Sequence, residues 1–223
     1  MDRNATLRLL LRVVFGLFLL LLGWGWDDLG GFFTHPARSG FFVVAVISTA
    51  VALLMRLDVQ VFRKGKGPVG RQPWLLAALT AVGLFLILFL PYADRRGVLT
   101  FADGGWLRYV GLLLLTVGTA VVLVALRSLG KQYSGYITLQ DDHKLVQTSI
   151  YGLIRHPIYL RALLVSVGLP LIFRSWVVAP LFVFICLFVY VRIRQEEELL
   201  AERFGVEFEA YCRRTWRLIP YLY

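Results

Sequence analysis

The chain has 223 residues, 58% of them hydrophobic, with a mean hydropathy of +0.70 and a formal net charge of +10. An ordinary soluble fold does not hold that much apolar material, and five or six long apolar runs account for it, so the class is a multi-span membrane protein. The charge follows those runs instead of forming one basic patch, which argues for membrane orientation and against nucleic acid as a partner.

In chain order, the first predicted span covers residues 7–26. It has basic flanks like a signal peptide but ends in GWGWDD with no small-x-small cleavage site, so it reads as retained. Trp24 and Trp26 read as interfacial anchors, and His35 before Pro36 as a plain loop residue. A short second span follows at 40–55, then the loop from Arg56 to Pro73, whose five basic residues suit anionic headgroups. The third span, 73–91, is expected to stop before Pro91-Tyr92. The fourth covers 106–126, with Gly111 and Gly118 allowing close helix approach. No Asp, Glu, Lys or His lies mid-span in these four segments, so they read as scaffold and not as a transport path.

All but five of the 24 Lys and Arg residues lie at the N-terminus, in 56–71, in 127–161 or beyond 191; the exceptions are Arg38, Arg95, Arg96, Arg108 and Arg174. By the positive-inside tendency both termini are expected in the cytoplasm. Cys186 and Cys212 offer no disulfide framework. Three histidines, His35, His143 and His156, lack paired Cys/His spacing, so no metal site is expected. No G-x-G-x-x-G follows a strand, which excludes a soluble Rossmann-type core.

The chain is organised around residues 140–220. Two apolar runs, 159–173 and 175–191, meet at Arg174-Ser175. As one helix, residues 159–193 would be roughly 50 Å long, against a hydrocarbon slab of about 30 Å. The run must fold back, with Pro170, Arg174 and Pro180 as the cheapest turning points. A hairpin returns both polar ends to one membrane face and makes neighbours of His156 and Glu196. Pro157 suits a helix start, and residues 192–214 are expected to form an amphipathic helix on the membrane surface.

These residues resemble the isoprenylcysteine carboxyl methyltransferase family and, more loosely, membrane phospholipid methyltransferases. The matching pieces are His143-x-Leu145-Val146, Tyr151, Arg155-His156-Pro157-x-Tyr159, Glu196-Glu197, Phe204-Gly205, Tyr211 and Ile219-Pro220. Two positions depart from the family pattern: Arg161 stands where a small residue is usual, and Ser149 where a glycine is usual.

The resemblance implies S-adenosylmethionine as cofactor, with Gln140, His143, Leu145, Val146, Tyr151, His156 and Glu196 at cofactor-contacting positions; Lys144, Tyr159 and Glu197, beside them in the sequence, are further cofactor candidates. Leu145, Val146, Tyr151 and Tyr159 would be apolar walls. Glu196 or Glu197 would accept from ribose or ammonium, and His143 or His156 would donate or accept. Arg192, four residues before Glu196 and on the same helix face, is the candidate catalytic residue and substrate clamp, with Arg155 as a further substrate contact. An exposed ion pair with Glu196 is the plain alternative for Arg192, and a solvated helix face that for Glu196-Glu197.

The expected fold is an all-α integral membrane bundle with a C-terminal transmembrane hairpin and an amphipathic tail helix. Residues 1–127 would be a four-span scaffold and 128–223 the methyltransferase region. The expected activity is methyl esterification of a lipophilic carboxylate entering sideways from the bilayer, at a cytoplasmic site among membrane lipids. A phospholipid N-methyltransferase, a thiol S-methyltransferase and a non-catalytic scaffold remain open.

Overall fold

A computed structural model describes residues 3–55, 73–102, 104–130 and 145–223. Among these the chain is helical, with no extended strand and two isolated bridges, Thr100 with Ser175 and Ile154 with Trp216. Helix α1 spans Arg3–Trp24. After a 3-10 turn at Trp26–Asp28 come α2 (Leu29–Phe33) and α3 (Pro36–Leu54). Next are α4 (Pro73–Arg96) and α5 (Trp106–Leu129), a 3-10 turn at Ser149–Gly152, α6 (Pro157–Ile172), α7 (Val178–Phe204) and α8 (Val206–Arg214). Helices α3, α4, α5 and α7 are long and apolar enough to cross a membrane. The first span is a fifth when joined to the segment after it, which turns by 82°.

Several elements differ from the sequence expectation. The second span starts at Pro36, because the His35 ring caps α3 by accepting from the Ala37 amide at 3.2 Å and Pro36 fills the first helical turn. His35 is therefore a cap and not a plain loop residue. Trp24 is buried, donates from Nε1 to the Asp28 carbonyl at 2.7 Å and lies 4.5 Å from the Arg38 guanidinium; Trp26 is half exposed, as an interfacial anchor would be. Helix α4 does not stop at Pro91 but runs through it to Arg96. Spanning helices tolerate an internal proline where neighbouring helices cover it, and Pro91 is fully buried.

The hairpin forms, with its turn between α6 and α7 rather than at either proline. Arg174 takes a left-handed φ of 52° there, and the turn is tied to the α4–α5 loop by two backbone bonds, Phe101 N–H to Arg174 O and Trp176 N–H to Leu99 O, both 2.8 Å. The surface helix expected over 192–214 is instead divided. Nothing in QEEELLAERF breaks a helix, so α7 continues without interruption to Phe204. Gly205, at φ 50°, then ends it, and only the nine-residue α8 remains as the amphipathic tail helix, with Phe208 and Tyr211 buried.

Helices α5 and α6 pack backbone to backbone. A Cβ on Gly111 would sit 2.6 Å from the Gly168 carbonyl oxygen, and one on Gly168 would sit 2.7 Å from that of Gly111. Close approach of this kind holds spanning helices together where lipid removes the hydrophobic drive between them. Leu20, Trp24, Phe32, Leu90, Ile172 and Phe173 form the core toward the hairpin turn, and Val189, Ile193 and Leu218 a smaller one toward the other end.

Beneath the hairpin turn lies an ionic cluster that the sequence reading did not anticipate. The buried Asp94 carboxylate accepts from Arg38 at 2.9 Å, from Arg108 at 2.8 and 3.0 Å, and from Arg174 at 2.7 Å. Arg38 also donates to the Phe32 and Gly31 carbonyls, and Arg108 to that of Ile172. Helices α3, α4 and α5 and the α6–α7 turn are thereby joined through one carboxylate. Three of the five basic residues set aside in the sequence reading are its partners.

Candidate active site

At the opposite end, the hairpin brings the starts of α6 and the polar end of α7 together. Pro157 opens α6, leaving His156 at its N-cap with a buried ring. On α7 the residues beyond the apolar run project toward it. His156 Nδ1 lies 3.9 Å from Glu196 Oε2, and Nε2 lies 3.2 Å from Glu197 Oε1. An ionised carboxylate only accepts, so Nε2 carries the proton and Nδ1 faces Glu196.

The two glutamates have different surroundings. Glu197 is nearly buried, and its oxygens accept from Arg155 Nε at 3.1 Å, from His156, and from Arg217 at 3.0 and 2.8 Å. Glu196 keeps about a third of its side chain exposed and shares the Tyr159 hydroxyl with Arg192. The outward-facing acceptor is therefore Glu196. Glu197, expected as an alternative cofactor acceptor, has its carboxylate filled by protein donors.

Arg155, expected as a substrate contact, is bonded within the protein. Its guanidinium donates to Glu197, to the Cys212 carbonyl and to both oxygens of Thr215, tying the loop before α6 to the C-terminal segment. Arg192 is buried one turn below Glu196, with its guanidinium 6.0 Å from the Phe188 ring. That burial removes the exposed-pair alternative, because an arginine this far from water is held by its surroundings.

Tyr151 is buried in the 3-10 turn, and its carbonyl accepts from the Tyr211 hydroxyl of α8 at 2.7 Å. Burial pushes that Tyr211 phenol up to about 12, so it remains a donor at neutral pH. Leu145 and Val146 are half-buried in the extended stretch before the turn, where Gln147 bonds both Glu207 and Arg214 of α8. Gln140, His143 and Lys144 lie outside the described residues. The structure thus gathers Tyr151, Arg155, His156, Tyr159, Arg192, Glu196 and Glu197 at one end of the bundle.

Arg217 belongs to the site and was missed. It sits twenty positions past Glu197 in an aromatic tail, and no local pattern in the sequence links the two. Only the chain path does: residues 215–217 lie beside residues 153–156, with Trp216 N–H bonded to Leu153 O at 3.0 Å, Arg155 N–H to Trp216 O at 2.8 Å and His156 N–H to Arg217 O at 3.0 Å.

Residues 110–202 match the profile described as the isoprenylcysteine carboxyl methyltransferase (ICMT) family. A "Probable protein-S-isoprenylcysteine O-methyltransferase" of Oryza sativa subsp. indica is 29% identical over 117 residues, 51% of this chain and 61% of the relative. The "Protein-S-isoprenylcysteine O-methyltransferase" of Saccharomyces cerevisiae is 30% identical over 116 residues, 51% of this chain and 48% of the relative. The "Cobalt-zinc-cadmium resistance protein CzcN" of Cupriavidus metallidurans is 35% identical over 122 residues, 54% of each chain. The chain therefore spans less than two thirds of the length of these curated relatives. In fold it is similar to the solved structure titled as the eukaryotic intramembrane Ras methyltransferase ICMT without a monobody, at a TM-score of 0.60 and 20% identity, covering 93% of this chain and 74% of that one. The matched region runs from α5 through the hairpin to the glutamates of α7, and over it the chain is similar to the isoprenylcysteine carboxyl methyltransferase family.

Proposed function

We propose that this protein is an integral-membrane methyltransferase that uses S-adenosylmethionine to esterify the carboxylate of a lipophilic acceptor. The observation that carries the reading is the meeting of His156 and Glu196 at 3.9 Å, one helical turn above the buried Arg192, within the stretch that matches that family's profile.

The residues present fit such a cofactor. Glu196 offers a partly exposed carboxylate for hydroxyl or ammonium donors, and His156 Nδ1 and the Tyr159 ring stand beside it. Leu145, Val146 and Tyr151 would supply apolar wall, and Gln140, His143 and Lys144 complete the proposed set from the adjoining segment. When bound, S-adenosylmethionine supplies an electrophilic methyl group on a sulfonium.

For the acceptor, Arg192 presents a planar guanidinium that matches a carboxylate through two parallel hydrogen bonds. A carboxylate is already ionised at neutral pH and needs no general base. The protein's part is then to hold the acceptor oxygen in line, strip it of water and exclude solvent with the apolar faces of α6 and α7. Arg155 and Glu197 serve the frame of the site and not its ligands.

We assign the site and both termini to the cytoplasm from the distribution of Lys and Arg. Residues 128–223 would carry the site, with residues 1–127 as its membrane scaffold. The acceptor would enter between helices from the bilayer. Transfer of radiolabelled methyl from S-adenosylmethionine to a prenylcysteine, a phosphatidylethanolamine and an alkyl thiol tests the reading. Labelling of the prenylcysteine as a base-labile ester is expected; exclusive labelling of the amine or thiol would replace the carboxylate acceptor.

A further inference from the structure

Glu197 receives more from the C-terminal tail than from its own hairpin. Arg217 reaches both carboxylate oxygens, with Nε at 3.2 Å from Oε1 and 3.0 Å from Oε2, and Nη2 at 2.8 Å from Oε2. The Arg217 guanidinium is in turn seated 5.2 Å from the Tyr223 ring and donates to its hydroxyl at 3.2 Å. The backbone of the same residue accepts the His156 N–H. One tail residue thus holds His156 twice, at the main chain directly and at the ring through Glu197.

We propose that Arg217 is a positioning residue that fixes the orientation and proton placement of the His156 ring through Glu197. The inference rests on the reading of His156 as part of the methyl-donor site and adds to it a residue of the C-terminal tail.

The physical argument concerns geometry. Glu197 stands among three donors, Arg155, His156 and Arg217, and a carboxylate so placed can turn toward whichever partners remain when one is lost. Arg155 approaches only Oε1, the oxygen that His156 also uses. Among the described residues Arg217 alone anchors Oε2, so it sets the plane of the carboxylate. Bidentate guanidinium contact fixes such a plane where a lysine ammonium would hold only a point. With that plane fixed, Oε1 stays in line with Nε2–H, and Nδ1 is kept toward Glu196. Without Arg217, the carboxylate can rotate, and the imidazole is free to place its proton on either nitrogen.

The test uses the full chain in detergent or nanodiscs with histidine labelled by nitrogen-15. The chain has three histidines, and His156→Gln assigns the ring of interest by difference. The unmodified protein should show the Nε2–H tautomer. Arg217→Met should give a mixed ring signal and weaken S-adenosylmethionine binding roughly tenfold, the scale of a lost charge-assisted contact. Arg217→Lys should recover the charge but only part of the ring signal. In a Glu197→Gln background, Arg217→Met should add little further change to the ring, because its route to His156 is already altered. An unchanged ring spectrum in folded Arg217→Met overturns the proposal, and so does an undiminished effect in the Glu197→Gln background. Failure of the unmodified protein to bind S-adenosylmethionine would count against the cofactor reading alone, since the ring signal is read without it.

Discussion

Asp94 and Arg108 face each other through two parallel hydrogen bonds, Nη1 to Oδ2 at 2.8 Å and Nη2 to Oδ1 at 3.0 Å, both residues almost wholly buried. The pair joins α4 to α5, and Arg38 and Arg174 join α3 and the hairpin turn to the same carboxylate. Replacing Asp94 with Asn leaves three guanidinium groups without their counter-charge. Loss of one partner from a buried ion pair costs about 3–5 kcal/mol. Asp94→Asn should therefore lower the thermal midpoint of the detergent-solubilised protein sharply, while Asp27→Asn, whose carboxylate is largely exposed, should leave it nearly unchanged. Equal midpoints for the two variants would remove the cluster from the stability of the fold.

Ser149 explains one departure from the family pattern in backbone terms. It holds a left-handed φ of 57° at the head of the 3-10 turn, a conformation that glycine adopts freely. The penalty for a residue with a Cβ there is on the order of 1–2 kcal/mol. Ser149→Gly should recover most of that, raising the thermal midpoint by a few degrees, offset in part by the greater freedom of glycine in the unfolded chain. A lower midpoint would mean that the serine is held by more than its backbone.

The α5–α6 contact allows little variation. A methyl at Gly111 would lie 2.6 Å from a backbone oxygen, and backbone cannot move aside as a flexible side chain can. Gly111→Ala should destabilise by about 1–3 kcal/mol, the range for overpacking, whereas Gly83→Ala, with open space around it, should be neutral or mildly stabilising. Denaturation of the two variants side by side checks the contrast.

At the candidate site, Glu196→Ala should weaken S-adenosylmethionine binding by about 1.5–3 kcal/mol, and Glu198→Ala, exposed two residues further along α7, by much less. Calorimetry on both proteins distinguishes a site from general surface charge. Equal losses would point to the latter.

Arg192→Lys keeps the charge and loses the fork. If Arg192 holds an acceptor carboxylate, methyl transfer should fall by a factor on the order of a hundred with donor affinity little changed. Near-normal turnover on the true acceptor would exclude the clamp and favour an amine or thiol.

Much of this arrangement was legible in the sequence, for physical reasons that can be named. The apolar run from 159 to 193 was too long for the bilayer, and that alone required the fold-back which sets His156 against Glu196. Helix ends were less legible. Pro91 looks like a stop in isolation, but its missing N–H matters little inside a bundle that covers it, and reading it as a stop left Asp94 outside the helix and its three arginine partners unexplained. The end of α7 was misjudged because amphipathic spacing over 192–214 does not reveal whether a new helix begins. The absence of a breaker before Gly205 was the better signal. Arg217 was illegible altogether, since its meeting with Glu197 depends on the tail returning past residues 153–156.

The Asp94 cluster also bears on how the chain is made. Arg174 reaches Asp94 across 80 positions of sequence, and Arg108 across 14. As the chain leaves the ribosome, α3, α4 and α5 are inserted with Arg38, Asp94 and Arg108 already able to meet, well before the hairpin is synthesised. The last guanidinium arrives only with the α6–α7 turn, on the side of the membrane away from the candidate site. Completion of the hairpin on one face is thereby coupled to closure of the cluster on the other. A chain whose hairpin has not crossed the bilayer would lack the Arg174 contact and present an unfinished end at that face, which would give quality-control proteases a substrate distinct from the mature protein.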